Sequence, residues 1–95
     1  MHCLNVILTV KQREDVEQVA GLLAEAGRLS RDEPGCLRFE VCHSQTDPQV
    51  IILCERWESV AAWEAHREER AFREIYQPRV LPLVDRVPHP STLLE

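Results

Sequence analysis

Val50-Ile51-Ile52-Leu53 is apolar at four consecutive positions. Successive side chains of a strand point to opposite faces, so a strand that begins this way needs cover on both sides. One layer of helices covers only one face of a sheet, and any fold for this chain must find a second cover. The segment continues to Trp57 and should lie centrally in the sheet, with Ile51, Leu53, Glu55 and Trp57 sharing one parity. Trp57 is expected as a structural plug where the strand enters the next helix.

Two further stretches alternate with the same period. Cys3 to Val10 sets Leu4, Val6, Leu8 and Val10 on a fully apolar face and leaves Asn5 on a mixed one. Cys36 to His43 places Leu37, Phe39 and Val41 on one side and Arg38, Glu40 and Cys42 on the other. Ser44 to Gln49 has turn composition, so the second and third strands form a hairpin. Between the first two strands, Val16, Val19, Ala20, Leu23, Ala26 and Leu29 recur at helical spacing up to about Asp32, where Pro34 and Gly35 end the helix.

Behind Trp57, Ser59 suits an N-cap for a helix starting at Val60. One straight helix to Tyr76 would turn Trp63 away from the stripe of Ala61, Ala65, Phe72, Ile75 and Tyr76 and leave an indole in water. A break near Arg67 to Arg70 removes the conflict. It gives a short helix with Val60, Trp63 and His66 along one side and a second one carrying Phe72, Ile75 and Tyr76, stopped by Pro78 and Pro82. Arg86 to Glu95 reads as a last strand, confined by Pro88 and Pro90 to a sheet edge or an extended arm.

The order strand, helix, strand, strand, helical pair, strand is that of an α+β, ferredoxin-like (split βαβ) antiparallel sheet with helices on one face. Residues 1–95 are expected to form one domain, and a second copy packed sheet against sheet is the economical cover for the open face. Net charge is -5, with eleven basic residues among sixteen acidic ones and no basic block, so nucleic acid is not an expected partner. No apolar run approaches membrane-spanning length, and Met1 to Asn5 does not read as a signal peptide, so a cytoplasmic location is expected. Cys3, Cys36, Cys42 and Cys54 form no C-x-x-C pair and are expected to be reduced, mostly buried small hydrophobes.

Glu33-Pro34-Gly35-Cys36-Leu37-Arg38-Phe39-Glu40-Val41, then Asp47-Pro48, Glu55-Arg56-Trp57-Glu58-Ser59, Ala62 and His66 resemble the antibiotic-biosynthesis monooxygenase domain family. The resemblance implies a dimeric α+β barrel with a pocket between sheet and helices in each subunit. It also implies a cofactor-independent monooxygenase that oxidises a quinol or a polyketide phenol with molecular oxygen, without metal, flavin or haem. The family often shows His, two residues, Ser, one residue, His-Phe; here His66 and Phe72 match, whereas Glu69 and Ala71 depart. In the haem-degrading branch a first-strand Asn, a helix Trp and a later helix His form the site. Asn5 matches the first, but His66 and Tyr76 stand at the other two positions, so haem is not expected.

Such a reaction needs a base, a group to orient the substrate oxygen, and aromatic walls. His66 titrates near neutral pH and is the candidate base, with a purely structural histidine at the helix turn as the alternative. Asn5 could orient a carbonyl or phenolic oxygen or merely satisfy backbone groups. Trp63, Phe72 and Tyr76 would bind the ring, or simply fill core. Arg38 and Arg79 could hold an anionic group, and Arg67 to Arg70 reads as a solvated face or turn. A non-catalytic dimeric binding or stress-related domain, and an isomerase or lyase on a related fold, remain as alternatives.

Overall fold

β1 (His2–Val10), α1 (Val16–Arg31), β2 (Cys36–His43), β3 (Val50–Trp57), α2 (Val60–His66), α3 (Ala71–Val80) and β4 (Val84–Ser91) follow one another in the computed structural model, which describes all of residues 1–95. Short 3₁₀ turns at Arg13–Asp15 and Leu81–Leu83 lead into α1 and out of α3. The four strands form one sheet in the order β2-β3-β1-β4 with every neighbour antiparallel. This is the expected ferredoxin-like arrangement, with the helices on one face.

Parity decides what each strand residue meets. Val6 stands opposite Leu53 and Leu8 opposite Ile51, and these side chains are buried beneath the helices with Val19, Leu23 and Ala26 of α1 and Ile75 and Val80 of α3. α1 comes very close to β2. A Cβ on Gly27 would lie 3.1 Å from Val41 Cγ2, so a glycine is what permits this approach. The basic Arg28 and Arg31 in the last turn of α1 complement its dipole, and Arg31 Nη1 donates to Phe39 O at 3.0 Å.

The opposite face carries Ile7 beside Ile52 and Val87, with Cys42 at the end of the same cross-strand row. Ile7 and Val87 are exposed in the single chain. The two-sided apolarity of β3 therefore corresponds to one covered face and one open face.

Several expectations need correction. A bulge between Cys36 and Arg38 breaks the register of β2 with β3, so Leu37 leaves the Phe39 face and is exposed. The chain does break after His66, yet Val60 is exposed rather than inside with Trp63 and His66. Pro78 does not stop α3. That segment is wound as a π-helix through Val80, and the Leu81 N–H reaches back to Tyr76 O, a spacing that leaves room for a residue with no N–H. β4 starts at Val84 rather than Arg86 and ends at Ser91, and it is an edge strand as its prolines require. All four cysteines are free, but only Cys3 is buried; Cys36 and Cys54 are half-buried and Cys42 is exposed. Cys36 and Cys42 lie on the edge strand β2, whereas Cys3 and Cys54 lie on the inner strands β1 and β3.

Candidate functional site

The helix-facing parity of β3 places a carboxylate where the pattern calls for an apolar group. Glu55 lies between Leu53 and Trp57 and is 6% exposed. Its Oε1 accepts the indole N–H of Trp57 at 3.1 Å, and its other oxygen has no partner in the protein. Burial raises the affinity of this carboxyl for its proton, opposed by the Trp57 bond and by the nearby His66 and Arg86.

α2 brings the histidine over this residue. Ser59 caps the helix by accepting from the Ala62 N–H at 3.1 Å, and seven residues later His66 ends it on the inner side. The imidazole lies 4.7 Å from the Trp57 ring and 6.0 Å from that of Phe39. Its Nδ1 is 2.5 Å from Glu33 Oε1, both side chains being 9% exposed. One proton is held between the two. Burial pushes Glu33 up to about 7, helped by the Glu69 charge, and pushes His66 down, so the pair resists separation into ions.

The turn after α2 and the wide π winding of α3 set the third wall. Phe72 and Tyr76 stack at 5.6 Å, and the Tyr76 hydroxyl accepts from Arg86 Nε at 2.9 Å. Burial raises the Tyr76 phenol. Trp63 packs on the His2 ring at 4.9 Å, and the Arg67 guanidinium lies 5.1 Å from the Trp63 ring centre and 5.9 Å from that of Phe72.

These groups enclose a mostly apolar cavity of about 110 Å³. His66, Trp63, Phe72 and Tyr76, the residues singled out in the sequence, all line it. Asn5 does not. Its side chain is on the open sheet face, opposite Cys54 and His89, where it donates to Ser91 Oγ at 3.2 Å beside a separate cavity lined also by Arg38 and Arg56. Arg38 pairs with Glu40 on that face, and neither Arg38 nor Arg79 reaches the inner cavity.

Sequence reasoning missed Glu55, Glu33, Ser30, Arg67 and Arg86. The signal for Glu55 was present, since a lone carboxylate at the buried parity of a central strand demands an explanation. Ser30, 0% exposed in the cavity wall, has a hydroxyl without a partner and no local pattern that announces it.

A four-stranded antiparallel sheet roofed by helices, with ionisable groups collected in a cavity between the two layers, defines a ferredoxin-like domain with an internal site. The sequence profile of antibiotic biosynthesis monooxygenases matches residues 1–78, and the chain belongs to that family. No curated protein matches it. Among solved structures, a candidate antibiotic biosynthesis monooxygenase from Nitrosomonas europaea is 23% identical, with a TM-score of 0.91 and 100% of both chains covered. A conserved protein of unknown function and possible oxidoreductase from Bacteroides thetaiotaomicron is 23% identical at a TM-score of 0.86, covering 95% of this chain and 94% of its own. A Mycobacterium tuberculosis protein is 20% identical at 0.82, covering 100% and 98%. At these identities the likeness speaks to the fold. No helix is long and apolar enough to cross a membrane, and no three His, Cys, Asp or Glu side chains gather as a metal site.

Proposed function

We propose that the chain is a cofactor-independent oxygenase of a small aromatic phenol or quinol. The observation that supports this reading best is the pairing, within one apolar cavity, of two proton-accepting groups, Glu55 and His66, with four aromatic side chains. Glu33 occupies His66 Nδ1, which leaves Nε2 as the only ring nitrogen free to meet a ligand. Glu55 has a free oxygen beside it. Loss of the phenolic proton to this pair makes the ring electron-rich enough to reduce oxygen directly. One oxygen atom then enters the ring carbon ortho or para to the phenol, giving a quinone, and the second leaves with two hydrogens as water. The dry walls keep the intermediate from side reactions.

Size supports a single ring. The enclosed volume of about 110 Å³ is of the same order as the roughly 150 Å³ cavity that takes benzene, so it suits one ring whose substituent extends to the open mouth. A polycyclic polyketide or a haem macrocycle would exceed that enclosed volume, and Asn5 lies on the other side of the sheet from His66 and Tyr76. With a panel of monocyclic phenols and quinols, consumption is expected to require oxygen, and His66→Ala is expected to slow it by about 10²-fold or more. Equal consumption under nitrogen, or an unchanged rate in the variant, would overturn the reading.

The same proposal includes a homodimer through the open face, supported by the Cys42, Ile52, Ile7, Val87 row. Sedimentation should give twice the chain mass, and Ile7→Asp should give one. A wild-type monomer would sink the idea.

A further inference from the structure

Two guanidinium groups stand at the mouth of the inner cavity. Arg67 comes from the turn after α2 and lies against the rings of Trp63 and Phe72, while Arg86 comes from edge strand β4 and holds the Tyr76 hydroxyl. Both side chains are exposed, and both line the cavity. The ion pairs of the chain are Arg38 with Glu40, His66 with Glu33 and Arg70 with Glu74, so neither mouth arginine has a carboxylate within pairing distance. Most basic side chains of this chain are likewise without an ion-pair partner; what these two share is their place at one apolar opening.

The floor has the opposite character. Glu55 is buried there with one oxygen free, and the Glu33–His66 pair lies beside it. A carboxylate on the ligand would be repelled by Glu55 and would lose its hydration among Leu4, Leu53 and Phe39. A neutral hydroxyl is what the floor accepts, because it donates to the free Glu55 oxygen. Polarity across the cavity thus runs from a hydrogen-bond acceptor inside to positive charge outside.

We infer that the site selects a monocyclic aromatic hydroxy acid, with its hydroxyl on Glu55, its ring between the Trp63, Phe72 and Tyr76 side chains, and its carboxylate held at the mouth by Arg67 and Arg86. The inference rests on the oxygenase reading for the cavity being the substrate site, and it narrows the substrate from phenols in general to those with an anionic group opposite the hydroxyl. Arg86 spends its Nε on Tyr76 and keeps its two terminal nitrogens for the acid.

Calorimetric titration under nitrogen separates binding from turnover, using 4-hydroxybenzoate, phenol and benzoate as probes. The hydroxy acid should bind about tenfold or more tightly than either probe lacking one group. Arg67→Gln and Arg86→Gln should each weaken 4-hydroxybenzoate several-fold, leave phenol within about twofold, and reduce the salt dependence of acid binding. Arg67→Lys, which keeps the charge, should recover part of the loss, and thermal melts establish that each variant is folded. Phenol binding as tightly as the acid, equal weakening of both probes in the arginine variants, or no binding by any probe would overturn the inference. Selective acid binding without oxygen consumption would uphold it and remove the oxygenase reading. Oxygen-dependent turnover of phenol with no preference for the acid would do the reverse.

Discussion

Gly35→Ala is expected to destabilise the protein by about 2 to 4 kcal/mol, seen as a lower urea midpoint with unchanged slope and a thermal midpoint lower by about 10 °C or more. Two independent effects add. Gly35 has φ +80°, a left-handed conformation that a Cβ makes costly. The added Cβ would also lie 2.6 Å from the Ala62 Cβ, a distance that forces the loop and α2 apart. Neither can yield locally, because Gly35 O accepts the Glu58 N–H at 2.8 Å just before α2, and Cys36 opens β2. Gly21→Ala is the internal control. Gly21 is an exposed position in α1 with no atom within 4 Å of the new Cβ, and alanine there should stabilise by about 0.5 to 1 kcal/mol. Equal effects at the two glycines would mean that the contact between Gly35 and Ala62 is not tight.

The consequence reaches the site. Glu33 lies two residues before Gly35 and binds His66, the last residue of the helix that Ala62 belongs to. Glycine at 35 is therefore what lets the loop after α1 dock on α2 closely enough for that pair to form. A partly folded Gly35→Ala protein should lose the Glu33 contact before it loses the sheet.

This coupling also explains what could and could not be read from the chain. The parities of β1 and β3, the helix from Val16, the Ser59 cap and the break after His66 follow from patterns within a few residues of one another, and all appear in the structure. The misplaced indole of Trp63 in a straight helix was enough to predict the break. What failed needed contacts between distant segments. Pairing of Glu33 with His66 joins positions 33 residues apart, and Arg86 reaches Tyr76 from another element. The Leu37 bulge is a register event between two strands, invisible in the alternation of one. Asn5 shows the reverse case: its parity placed it on the mixed face correctly, and that same parity sends it away from His66.

Glu55→Gln should make the protein more stable above neutral pH while lowering turnover in the proposed oxygenase reaction by about 10²-fold or more. The substitution is nearly isosteric, and the amide oxygen can still accept the Trp57 N–H, so the geometry of the floor is kept. What disappears is ionisation. Because burial holds the Glu55 carboxyl above its ordinary value of 4.5, the folded chain binds this proton more firmly than the unfolded one. The associated stability is fully present below about pH 4.5 and is lost as pH rises through the folded value. The denaturation midpoint of the wild type should therefore fall relative to that of the variant as pH rises from 4.5, with the two converging at acidic pH. Glu33, pushed up to about 7, contributes a loss of the same sign, but it is present in both proteins and does not account for their difference. Stability and activity respond in opposite directions for one reason. A carboxylate in this apolar row costs the fold free energy, and only its proton affinity and free oxygen give the position a use that Gln cannot replace. Parallel pH curves for the two proteins would show that Glu55 does not titrate in the fold, and full activity in the variant would remove it from the proton-accepting pair.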